Sequence, residues 1–212
     1  TLDRLERWGF ISGPARGEPR GDPLFEDWRQ GRGLYATNGA VVAFIEKSSV
    51  AENDEPDLFM FGVPGAFVGY KTDWAKEATA RPYDKWTWLL LKGHTRFQGK
   101  VMLQIANPLD PPVVDFDYFE RDSAGALTPG AAADLTAMRE GVRLAVRLID
   151  ESSLLTLHPE IMGDVDLRTD AGIDAFIQDR AWGHHASCTC KIGGDTDPNA
   201  VPDSHSGRKR TI

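Results

Sequence analysis

The sequence predicts an α+β fold, a mostly antiparallel sheet packed on one side by helices. Two observations carry this. Strand-like runs crowd the first half of the chain and helical periodicity the second, without βαβ alternation between them. No Pro-, Gly- or Ser-rich tract is long enough to divide the 212 residues, and no internal repeat is visible.

Residues 1–7 carry Leu2 and Leu5 three apart and read as the end of a helix. Ser12 to Pro23 is rich in Gly and Pro and reads as loop. Leu24–Gln30 is a short helix stopped by Gly31 and Gly33. Strands are expected at 40–47, 57–64 (closed by Pro64), 86–92 and 99–105. The last two, joined by a short polar link, are expected to pair antiparallel. Residues 113–119 alternate and predict a short irregular strand. A long amphipathic helix follows over 131–151, with Leu135, Met138, Val142, Ala145 and Ile149 facing a sheet. Asp134, Arg139, Glu140, Arg143 and Arg147 lie mostly on the opposite, solvated side. A second helix over 170–180 carries Ile173, Phe176 and Ile177, with Asp170 as its cap.

Composition narrows the function classes. Net charge is −8 and pI about 5.1, so no basic face is present for nucleic acid; Arg208-Lys209-Arg210 is too short a run to make one. No apolar run approaches the roughly 18–20 residues of a membrane helix. The charged N-terminus, Thr1-Leu2-Asp3-Arg4, is no signal peptide, and without an initiator Met it reads as a processed or partial chain. Two Cys make no disulfide framework, and a bridge between Cys188 and Cys190 would be strained, so a reducing cytoplasm is expected.

The chemistry concentrates in Trp182-Gly183-His184-His185-Ala186-Ser187-Cys188-Thr189-Cys190-Lys191-Ile192-Gly193-Gly194. Two imidazoles, two thiols and three glycines share a stretch with neither helical nor strand period. Three readings stand beside one another. One of the histidines is a general base, since an imidazole accepts a proton near neutral pH. The four ligand-type side chains hold zinc, although four ligands within seven residues strain a tetrahedron. Or both His are satisfied polar groups and both Cys small buried ones. Elsewhere, Trp86, Trp88, Phe59 and Phe61 on strands read first as core. His94 and His158 read as solvated loop residues. The pairs Asp115/Asp117 and Asp164/Asp166 are too sparse for a hard-cation loop and read as solvated faces, so no metal is expected.

The run His185-Ala186-Ser187-Cys188-Thr189-Cys190-Lys191-Ile192-Gly193 resembles the active-site segment of the glucose–methanol–choline (GMC) oxidoreductases, and within them the choline-dehydrogenase-like members. Asp197-Pro198-Asn199-Ala200-Val201-Pro202-Asp203 resembles the segment that follows, with Pro202 a departure. Gly31-Arg32-Gly33-Leu34-Tyr35-Ala36-Thr37-Asn38-Gly39 is similar to the entry into that family's substrate domain. Residues 99–112 and 140–145 are similar to its strand with an Asp-Pro turn and to its long helix.

The resemblance implies an α+β GMC substrate-binding fold over 31–181, an active-site segment over 182–203, and residues 1–30 as a linker or edge of a flavin domain. It implies FAD as cofactor, a small alcohol as substrate, and oxidation by proton abstraction and hydride transfer. His185 takes the place of the base. His184, Trp182 and Asn38 take supporting or substrate-contacting places, and Thr189, Ala200 and Val201 cofactor-contacting ones. Cys188 and Cys190 become structural.

The dinucleotide fingerprint Gly-x-Gly-x-x-Gly is absent, so a fragment without its Rossmann part, inactive alone, is expected. Residues 204–212 leave the family pattern, as a frameshift or premature end would produce. Partners are then a small alcohol and at most further copies of the chain as a homo-oligomer, with no membrane span. A non-catalytic binding module reusing the fold, or a zinc-stabilised domain, are the alternatives from other classes.

Overall fold

A computed structural model describes residues 23–65, 67, 69–74, 76, 86–151, 165–185, 187, 191–194, 196–197 and 200. The chain divides into two units, Thr1–Arg180 and Ala181–Ile212.

In the first unit, α1 (Pro23–Arg29) ends where Gly31 and Gly33 adopt positive φ, as the glycines predict. The strands β1 (Val42–Glu46), β2 (Leu58–Pro64) and β3 (Trp86–Lys92) form an antiparallel sheet in the order β1-β2-β3. A separate two-stranded ribbon joins β4 (Lys100–Met102) to β5 (Val113–Asp115). Two helices follow, α2 (Pro129–Asp150) and α3 (Asp170–Arg180). Small antiparallel sheets plus helices make the fold α+β. Among the described residues no helix is long and apolar enough to cross a membrane.

Register explains the packing. Phe44, Met60 and Leu90 line up across the three strands, and this row faces α2. Met60 is 2% exposed. A methyl group on Gly141 of α2 would come within 2.5 Å of Leu90, so the helix approaches the sheet as closely as it does because residue 141 has no side chain. The next row, Ile45, Phe59 and Leu91, points to the other face, where Ile45 is 68% exposed.

Four expectations are corrected here. First, 86–92 does not pair with 99–105. Seven residues of β3 pair with seven of β2, and this long pairing buries Met60 and half-buries Leu90 under the helix; β4 is three residues long and takes β5 instead. Gly99 is part of that choice, because a Cβ there would stand 2.5 Å from the Asp115 carbonyl oxygen.

Second, α2 buries two stripes where the sequence shows one. Ala131, Asp134, Ala137 and Gly141, mostly small residues, are buried at spacings of three and four, and Gly141 and Asp134 of this stripe meet the sheet region. Leu135, Met138, Val142 and Val146 pack instead in a cluster with Leu167, Ile173 and Ile177.

Third, Asp134 is therefore not on the solvated side but 5% exposed.

Fourth, the cap of α3 is Thr169, whose Oγ1 accepts the Gly172 N–H at 3.1 Å. Asp170 is the first helical residue, and its carboxylate turns to Arg143 and Arg139 of α2. Arg139 also grips Asp174 with two hydrogen bonds of 2.6 Å, which push its guanidinium up from the ordinary value and lock α3 onto α2. The helix expected at 1–7, His158 and Asp164 lie outside the described residues.

Candidate active site

In the second unit, residues 181–185 have no regular secondary structure and are all exposed, directly after α3 in the chain. Trp182, His184 and His185, singled out in the sequence, lie with their rings in contact. The His184 ring lies nearly parallel to the Trp182 indole, with centroids 5.0 Å apart and planes at 16°. The His185 ring meets His184 edge to face, at 4.2 Å and 81°. The two Nε2 atoms are 2.8 Å apart, a hydrogen-bonding distance. The result is a solvent-open imidazole pair backed by an indole, whose ring nitrogens can each give or take a proton.

Beyond it, Lys191 pairs with Asp197 at 2.7 Å. Two tight turns close the segment, with Asp197 N–H donating to the Gly194 carbonyl at 3.0 Å and Ala200 N–H to that of Asp197 at 3.2 Å. A Cβ on Gly193 would meet the Ala200 methyl at 2.8 Å and Asp197 Oδ2 at 2.9 Å, so only glycine lets these turns close. Ala200 is 5% exposed, its methyl group enclosed. Thr189, Val201, Cys188 and Cys190 lie outside the described residues.

Asn38 belongs to the first unit. Its side chain accepts the Ala40 N–H at 3.1 Å, forming an Asx turn at the entrance to β1. Of the four strand aromatics, Trp86 and Trp88 stack edge to face on the helix side of the sheet. Phe59 and Phe61 are neighbours on the opposite face, with ring centroids 5.4 Å apart. His94 is exposed, as expected.

One cluster escaped the sequence reading. At the end of β3, the buried Lys92 ammonium lies 2.9 Å from Asp57, donates to the His94 carbonyl, and sits 3.9 Å from Asp134. Asp57 also accepts the Ser48 N–H and hydroxyl, both at 2.7 Å. Burial alone would raise its carboxyl. The Ser48 N–H, Lys92 and the Ser48 hydroxyl outweigh burial and hold it at about 2. Asp134 goes the other way: burial raises it, against a 2.7 Å hydrogen bond from the Arg96 N–H and the charges of Lys92 and Arg96. A cavity of about 30 Å³, room for one water, is lined by Asp57, Lys92, His94 and Arg96. The available signal was the period of β3, which places Lys92 on the helix side with Leu90.

Comparison with known proteins decides the family. The C-terminal-domain model of the GMC oxidoreductases matches residues 95–208, more than half of the chain, and the range includes Trp182, His184 and His185. The chain belongs to the GMC oxidoreductase family.

Its relatives in that family include the oxygen-dependent choline dehydrogenase of Vibrio vulnificus (strain YJ016), 31% identical over 108 residues, which is 50% of this chain and 18% of that protein. The mitochondrial choline dehydrogenase of Mus musculus is 31% identical over 110 residues, 51% of this chain and 17% of that protein. The oxygen-dependent choline dehydrogenase of Pseudomonas fluorescens (strain SBW25) is 32% identical over 108 residues, again 50% of this chain and 17% of that protein. Each match thus spans less than a fifth of the relative. The GMC range begins after β3, so the three-stranded sheet precedes it.

Among the described residues, the donor set suits the reacting edge of a flavin site rather than its phosphates. The exposed imidazoles offer ring nitrogens that can accept a proton or a hydrogen bond. No described helix starts from a glycine-rich turn after a strand, which is where a pyrophosphate would sit.

Proposed function

We propose that this chain carries the catalytic base of a GMC-type, FAD-dependent oxidation of a small alcohol to its carbonyl. The observation that supports it is the solvent-open His185 imidazole, hydrogen-bonded to His184 within the matched GMC range. Bound FAD supplies the hydride acceptor. This chain's part is the proton. Removal of the hydroxyl proton builds negative charge on oxygen and weakens the adjacent C–H bond, and an imidazole within about 3 Å of that oxygen does this near neutral pH.

In this reading His185 is the base, and His184 and Trp182 hold it. Thr189, Val201 and the main chain of Ala200 contact the cofactor, Ala200 not through its methyl group, which is closed against Gly193. Asn38 contributes to the substrate domain through the turn it builds. The sheet of the first unit serves as the framework of that domain, and the protein works in the cytoplasm. The names of the relatives make choline the first alcohol to try.

The test is anaerobic titration of the flavin-loaded full-length protein with a panel of small alcohols that includes choline. Bleaching of the flavin absorbance by at least one alcohol is expected. A loaded protein that none of them bleaches refutes the reading.

A further inference from the structure

The His184 and His185 Nε2 atoms are 2.8 Å apart. Two imidazole nitrogens hold that separation only with a proton between them, so one ring donates and the other accepts. The surroundings of the pair are unequal. His184 lies flat on Trp182 with centroids 5.0 Å apart, while His185 presents its ring to His184 at 81°. A cation over an indole face, within about 6 Å of its centroid, is attracted by the ring quadrupole. His184 is thus the better place for a positive charge.

From this geometry we infer that His185 and His184 form a two-step proton relay, with His185 Nδ1 as the atom that takes the substrate proton and His184 as the ring that ends with the charge. The inference rests on His185 being the base, as proposed above. In the resting pair His185 carries its proton on Nε2 and donates it to His184 Nε2. His185 Nδ1 then bears the lone pair. When the alcohol reacts, its O–H bond breaks and an N–H bond forms at His185 Nδ1. The His185 Nε2–H bond breaks as that proton passes to His184 Nε2. One proton has left the substrate oxygen, His185 is neutral again in its other tautomer, and His184 is an imidazolium against Trp182. The rings need not move. His184 acts through His185 and is a positioning residue.

The resting tautomers can be read directly from protein labelled with nitrogen-15 in its histidines. The expected result is His185 as the Nε2–H tautomer, with a resolved coupling between the two Nε2 nuclei across their hydrogen bond. His185 protonated at Nδ1, or no such coupling, overturns the relay.

Kinetics of the flavin-loaded full-length protein gives the second arm. His184→Gln keeps an acceptor for the His185 N–H but cannot carry the proton. His184→Phe keeps a ring against Trp182 and has no acceptor. Both should lower kcat about tenfold or more while KM moves by less than about twofold. A wild-type rate in His184→Gln defeats the relay. Full turnover in His185→Ala would instead defeat the function beneath it, so the two failures are distinguishable.

Discussion

Lys92 shows how much a single buried charge can hold. Its ammonium is caught between Asp57 and Asp134, and removing it would leave the buried Asp57 carboxylate without its counter-charge. Lys92→Met should cost about 3–5 kcal/mol at neutral pH, measured by urea unfolding. The same site predicts an acid dependence. Asp57 is held at about 2, below the usual unfolded value near 4, so it contributes its full stability above about pH 4 and loses it as pH falls through about 2. Wild type and Asp57→Asn should therefore differ most in stability above pH 4 and converge towards pH 2. Asp134, raised by burial, acts in the opposite sense: holding it ionised costs stability as pH rises past its unfolded value. A gap between wild type and Asp57→Asn that stays constant from pH 5 to pH 2 would remove Asp57 from this role.

Elements were legible where a pattern is local. The strand runs and both long helices stand within a few residues of where alternation and periodicity place them, because those periods come from one segment's own geometry. Pairing was less legible. Whether β3 joins β2 or β4 depends on how many residues each can match and what the helix buries, and no single run records that. Asp134 reads as solvated because its partners, Lys92 and the Arg96 N–H, come from another part of the chain. Thr169 was overlooked beside Asp170 because either residue can cap, and the choice falls to whichever oxygen reaches the Gly172 N–H.

The sheet also holds a position where small size is obligatory. A Cβ at Gly62 of β2 would stand 2.1 Å from the Trp86 ring and 2.9 Å from Trp88. Those rings are stiff and already packed edge to face. Gly62→Ala should cost about 1–3 kcal/mol, despite the usual gain from replacing glycine in a strand. Thermal unfolding checks it, and an unchanged or higher midpoint would show that the rings repack freely. At the start of α2, Thr128 accepts the Ala131 N–H and Pro129 takes the first turn. Thr128→Ala should cost about 1 kcal/mol in the same assay.

At the scale of the molecule, the gathering of Trp182, His184 and His185 was visible in the sequence as a dense run of unusual residue types. What the sequence did not carry is the 2.8 Å contact between the rings and the stack on Trp182, which depend on how an irregular segment turns its side chains. That contact is the geometry on which the proposed proton transfer rests. Membership of the GMC family rests on the match over 95–208, while the role of each residue rests on chemistry. The central claim is that His185 takes the alcohol's proton. The most direct measurement is the rate at which alcohol bleaches the flavin in the full-length His185→Ala protein, mixed anaerobically in a stopped-flow instrument. The account predicts a rate lower by about 10²-fold or more in a protein that keeps its flavin and its fold. A rate within about twofold of wild type would contradict it.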